Sequence, residues 1–147
     1  MKNILIINGP NLNLLGTREV EKYGKLTLKE LINKLKNKSK ELNINLYHIQ
    51  SNSESKIIKY IHSSKKNKIE FILINGASLT HTSISIRDAI LAVSIPIIEI
   101  HISNIYSREQ FRRFSYLSDI ALGIICGFGI DGYLYALEYV SKYKKNV

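Results

Sequence analysis

Short apolar runs alternate with longer amphipathic stretches along the chain, and that alternation limits the fold more than any other feature. Asn3–Asn8 is a run of Ile and Leu closed by Gly9-Pro10, which predicts a buried strand. Thr27 and Glu30 have the spacing of a capping box. Leu28, Leu31, Ile32, Leu35 and Leu42 then recur at helical intervals, so a helix is predicted over 28–42. A strand over 44–50 follows, then a helix opened by Ser53 with Ile57, Ile58 and Ile61 on one face. Further strands are predicted over 69–75, 96–101 and 121–126, and helices over 82–93 and 130–143. Residues 107–118 read as a polar loop or short helix.

Strands that alternate with helices argue for a parallel sheet covered on both faces. The expected class is α/β: a flavodoxin-like, five-stranded parallel sheet of order 2-1-3-4-5 with helices on both faces. A length of 147 residues suits one domain, 1–147, and can bury a proper core. The longest strongly apolar stretch, 90–100, is broken by Ser94, Pro96 and Glu99, so no membrane span is expected. Only four apolar residues separate Asn3 from Asn8, too few for a secretory signal, and the expected location is the cytoplasm. The single cysteine, Cys126, excludes an internal disulfide and a cysteine-cluster metal site.

The formal net charge is +9, with 16 Lys and 5 Arg. The lysines gather at 34–40, 56–68 and 142–145, on predicted helix surfaces and ends, and no nucleic-acid motif accompanies them. They read as solvated faces, so no nucleic-acid partner is expected. The arginines say more. Arg108, Arg112 and Arg113 fall within six residues, and Arg18 and Arg87 stand alone. A guanidinium keeps its charge when desolvated and holds carboxylates in a planar fork. Arg113 reads as plain surface.

In such sheets ligands bind beyond the carboxyl ends of the strands. The loops there hold Asn8-Gly9-Pro10-Asn11, then 75–83 from Asn75 to Ser83, then His101-Ile102-Ser103-Asn104. His81 and His101 both lie at this edge, whereas His48 and His62 read as structural. His81, His101, Asp88 and Glu99 lack metal-ligand spacing, and no Gly-x-Ser-x-Gly elbow is present. Gly127-Phe128-Gly129-Ile130-Asp131-Gly132 lacks the last glycine of a dinucleotide fingerprint. The segment at about 16–25 is charged and bounded by Gly16 and Gly24, as a mobile lid would be, and it sets Arg18 near Tyr23. A tyrosine used as a base near neutral pH needs roughly 4 kcal/mol of extra phenolate stabilisation, which nearby guanidinium groups can supply.

Taken together, Ile7-Asn8-Gly9-Pro10-Asn11-Leu12, Arg18…Tyr23-Gly24, Leu79-Thr80-His81-Thr82-Ser83, Glu99-Ile100-His101-Ile102-Ser103-Asn104, Arg108…Phe111-Arg112 and Ser115-Tyr116-Leu117-Ser118 resemble type II 3-dehydroquinate dehydratase. The likeness runs from residue 4 to about 140. It implies a single catalytic domain that removes water from 3-dehydroquinate by anti elimination through an enolate, giving 3-dehydroshikimate, with no cofactor. It also implies a homododecamer of four trimers. By the resemblance Tyr23 is the base, Arg18 favours its phenolate, His101 protonates the leaving hydroxyl and Asn11 holds a water against the enolate oxygen. Asn75, His81 and Arg112 would hold substrate hydroxyls, and Ile102 and Ser103 the carboxylate. Asp88 would reach a neighbouring subunit's site, Arg108 would partner the lid, and Glu99 would orient His101 or a nearby donor.

Two departures stand out. Relatives often read Asn-Pro-Gly or Asn-Ala-Gly after the third strand, whereas here the glycine of Asn75-Gly76-Ala77-Ser78 comes one place earlier. Val20 stands where a lid proline is frequent. The competing reading is a flavodoxin-like module that binds a flavin or nucleotide without this activity. It calls for a Ser/Thr/Gly phosphate loop after the first strand.

Overall fold

A computed structural model describes residues 1–145. Five strands, β1 (Lys2–Asn8), β2 (Ile44–Gln50), β3 (Phe71–Asn75), β4 (Ile97–His101) and β5 (Gly123–Cys126), form one sheet of order β2-β1-β3-β4-β5. Every pairing is parallel. The flavodoxin-like expectation is therefore met, strand order included. Its helices are α1 (Val20–Tyr23), α2 (Leu28–Glu41), α3 (Glu54–Ser63), α4 (Ile84–Val93) and α5 (Asp131–Lys142). Among the described residues, no helix is long and apolar enough to cross a membrane.

Side chains alternate across a strand, so each strand feeds two cores. Ile4 and Ile6 of β1 and Leu73 of β3 pack with Leu31 and Leu35 of α2 and Leu137 of α5. Leu5 and Ile7, with Ile72 and Ile74, pack on the other side against Ile57 and Ile61 of α3 and Ile86 and Ile90 of α4. Complete burial of one such side chain is worth about 1.5–3 kcal/mol. The same alternation extends to the strand ends. Asn8 and Asn75 fall on the α2/α5 face, and Glu99 and His101 on the α3/α4 face. All four are buried.

Caps set the helix starts. At α2 both hydrogen bonds of the expected capping box form, between Thr27 and Glu30. Ser53 caps α3 as expected. α4 begins later than predicted. Ser83 is its cap: the Ser83 hydroxyl accepts from Ile86 N–H at 2.9 Å and donates to Glu54 at 2.5 Å. Residues Ala77–His81 instead wind into a 3₁₀ turn. β3 also starts later, because Ile69 N–H is taken by Ser64 O at the end of α3. The 107–118 stretch lies among three 3₁₀ turns, Ile105–Ser107, Gln110–Arg112 and Ser118–Ile120.

Candidate active site

The loops after β1 and β3 meet backbone to backbone. Gly9 N–H donates to Asn75 O at 2.8 Å. A Cβ on Gly9 would lie 2.5 Å from Gly76 O, so no side chain fits there. This contact brings Asn11 and Asn75 to one cavity, roofed by segment 16–25 and closed by the loop after β4. Ten of the twelve residues singled out from sequence line it: Asn11, Arg18, Tyr23, Asn75, His81, His101, Ile102, Ser103, Arg108 and Arg112. Glu99 lies behind His101. Asp88 sits on an exposed face of α4, outside this cavity, and does not pair with Arg87, which binds Asp119 and Tyr116 O instead.

Segment 16–25 is not a plain loop. α1 forms within it, bracketed by Glu19 at φ +41° and Gly24 at φ +80°. Gly16, at φ +86°, passes so close to Lys25 O that a Cβ would lie 2.7 Å away, which fastens the two ends together. Tyr23 is half-buried, with the Arg18 and Arg108 guanidinium carbons 5.2 and 5.3 Å from its ring centre. Arg108 Nη1 donates to its hydroxyl at 2.5 Å and to Ser103 Oγ at 3.4 Å. Arg18 Nη2 donates to Glu19 at 2.7 Å, and that hydrogen bond raises the guanidinium pKa further.

Across the cavity, His101 Nε2 is hydrogen-bonded to Glu99 Oε2. Ser115 and Ser118 donate to the other carboxylate oxygen at 3.0 and 2.6 Å. Burial pushes the Glu99 carboxyl up, but hydrogen bonds from His101, Ser118 and Ser115 outweigh it and hold the group below the usual range. The His81 ring lies 6.1 Å from that of His101, inclined by 18°, with Nδ1 on Phe114 O at 2.7 Å. Burial lowers the His81 pKa, and the Phe114 carbonyl offsets only part of this. Arg112 Nε is hydrogen-bonded to Glu109.

Asn11 and Ala77, which both line the cavity, have positive φ, +69° and +49°. The displaced glycine explains Ala77. Gly76 has an ordinary φ of −73°, and the left-handed residue is the alanine after it. Sequence reasoning gave no role to Ser115, Ser118, Asn8 or Tyr133. Asn8 carried a faint signal, as a polar end to an apolar strand. Tyr133, completely buried beneath Asn75, had none among nine tyrosines.

The loop after β1 offers no phosphate cradle. Pro10 has no N–H, Gly9 N–H is spent on Asn75 O, and Asn11 N–H donates to Asn52 at 3.0 Å. Among the described residues, no three His, Cys, Asp or Glu are grouped to hold a metal ion.

Fold and cavity together define a doubly wound α/β protein with a cavity lined by Tyr, His and Arg side chains at its switch edge. The model of one family, dehydroquinase class II, matches residues 2–141. The chain is 64% identical over 139 residues to the 3-dehydroquinate dehydratase of Buchnera aphidicola subsp. Acyrthosiphon pisum, covering 95% of this chain and 92% of that one. To the enzyme of that name from Enterobacter sp. it is 60% identical over 140 residues, with 95% and 93% covered. In structure it is similar to the type II dehydroquinase of Butyrivibrio crossotus, with TM-score 0.94, 42% identity and 96% and 98% covered. The corresponding structure from Propionibacterium acnes gives TM-score 0.93 at 38% identity, with 97% and 98% covered. This chain belongs to the class II dehydroquinase family.

Proposed function

We propose that this cavity dehydrates 3-dehydroquinate to 3-dehydroshikimate, in the shikimate pathway, by anti elimination through an enolate. One observation carries the reading: a tyrosine hydroxyl held by Arg108 and flanked by Arg18 shares a cavity with a histidine backed by a buried carboxylate. The first pair suits a base and the second a general acid.

Tyr23, as phenolate, takes a proton from the carbon beside the ketone. A donated hydrogen bond and two nearby positive charges stabilise an oxyanion more than a neutral hydroxyl. Asn11 holds a water that donates to the enolate oxygen. His101, with Nε2 committed to Glu99, delivers a proton from Nδ1 to the departing hydroxyl. Asn75, His81 and Arg112 orient substrate hydroxyls, and Ile102 and Ser103 hold the carboxylate. No cofactor enters the scheme.

Residues 1–147 act as one catalytic domain, and 16–25 opens and closes as its lid. The unit is a cytoplasmic homododecamer of four trimers, in which Asp88 serves the neighbouring site. Exposed Ile84 and Leu91, on α4 with Asp88, supply apolar surface for such a contact. Purified protein treated with chelator and given 3-dehydroquinate should produce the ultraviolet absorbance of a conjugated enone. Activity should persist after borohydride treatment with substrate. Folded, assembled protein that gives no enone would refute the reading.

A further inference from the structure

Asn75 is the last link of a polar chain buried beneath the carboxyl edge of the sheet. Its Oδ1 accepts from Ala77 N–H at 3.1 Å, and a backbone N–H can only donate. The atom facing Tyr133 is therefore Nδ2, which donates to the Tyr133 hydroxyl at 2.9 Å. That hydroxyl spends its own hydrogen on Asn8 Oδ1 at 2.6 Å. Asn8 Nδ2 is then the atom that donates to His48 Nε2, at 2.9 Å. A single backbone N–H thus sets the donor–acceptor sense of four side chains. Asn8 and Tyr133 are fully buried and Asn75 is 4% exposed, so water does not compete along this stretch.

Asn75 is left with one uncommitted N–H in a residue that lines the cavity. We infer that Asn8, Tyr133 and His48 are positioning residues that lock the Asn75 amide so that the cavity presents a donor, not an acceptor, to an oxygen of the bound substrate. The inference rests on the dehydratase reading for the identity of that substrate. It makes the chain a specificity device: an amide turned the other way would offer a carbonyl oxygen, which a substrate hydroxyl can meet only by donating and which repels an oxygen that can only accept. The far end must accept. Burial, aided by Lys36 of α2, lowers His48 to about 4, so the ring is neutral through the neutral range, and the Asn8 amide donor selects the tautomer with Nε2 bare.

A double-mutant cycle tests this. Tyr133→Phe removes one oxygen and fits the same space. It is expected to raise KM for 3-dehydroquinate about tenfold with kcat little changed, since binding lost equally from ground and transition states appears in KM. On an Asn75→Ala background the same change should have no further effect on KM. His48→Gln, which keeps an acceptor, should stay near the parent KM, whereas His48→Leu should raise it. An unchanged KM in Tyr133→Phe, or an equal penalty in both backgrounds, would overturn the inference. So would a KM that follows Tm across the variants instead of the presence of Asn75. A parent protein without dehydratase activity would sink the functional reading alone. In that case nitrogen NMR decides: His48 protonated on Nδ1, with an ordered Asn75 side-chain amide lost in Tyr133→Phe, is expected. Protonation on Nε2 would refute the chain.

Discussion

Arg108 donates to the Tyr23 hydroxyl at 2.5 Å across 85 positions of sequence, tying segment 16–25 to the loop after β4. Its side chain is only 6% exposed, and Nη2 also reaches Glu19 of the same segment at 3.8 Å. One buried guanidinium therefore holds both the proposed base and the segment that carries it.

Tyr23→Phe keeps the ring between the two arginines and deletes the reacting oxygen. Turnover is expected to fall by about 10²–10⁴-fold, with substrate affinity within a few-fold of the parent. Arg108→Lys keeps a charge but loses the fork, and should lower kcat more than it changes binding. Steady-state kinetics with calorimetric binding separate these effects. Near-normal turnover by Tyr23→Phe would remove the phenolate assignment.

Ser118→Ala deletes one of the hydrogen bonds that offset burial at Glu99. The carboxyl then takes up a proton at higher pH. The acid limb of kcat/KM should move upward, with the plateau less affected. A profile that superimposes on the parent's would mean that Glu99 does not govern that limb.

Stability should fall with acid in two stages. His48 is held near 4, below its ordinary 6.5, so between those values the unfolded chain binds more protons and stability drops as pH falls. The loss from this group is at most about 3 kcal/mol. Glu99, also lowered in the fold, adds a loss that begins near its ordinary 4.5 and continues below it. Melting temperature against pH should show the upper stage in the parent and a flatter one in His48→Gln.

Ala77 occupies a left-handed conformation that costs a side-chain-bearing residue about 1–2 kcal/mol. Ala77→Gly relieves this but frees the unfolded chain, so a net gain of up to about 1 kcal/mol is expected in denaturant melts. Gly9→Ala should do the opposite. Its Cβ would meet the Gly76 carbonyl at 2.5 Å, forcing the two loops apart and costing activity as well as stability.

The layering was legible because it is written in local period. Apolar runs gave five strands, and Thr27 with Glu30 gave a helix start that the structure keeps. The lines of the cavity were legible for a different reason. A parallel sheet delivers every strand end to one edge, so polar residues after β1, β3 and β4 had to meet. What escaped was set by contacts distant in sequence. The start of α4 is marked by Ser83, whose hydroxyl reaches Glu54 on α3, 29 positions away. α1 is too short to show a period and depends on the backbone bend at Glu19. Tyr133 meets Asn8 across 125 positions, a pairing that no window could show.

Because Asn8 and Asn75 hang on one side of the sheet while Glu99 and His101 hang on the other, the Asn75 amide and the His101 imidazole rest on different cores. Loosening either core should therefore leave its own kinetic mark. A void opened by Leu35→Ala lies on the side of Asn75 and should weaken the hold on substrate. One opened by Ile90→Ala lies on the side of His101 and should lower kcat if His101 is the proposed acid. Two substitutions of similar thermal cost, about 2–5 kcal/mol each, would then be told apart by the enzyme itself.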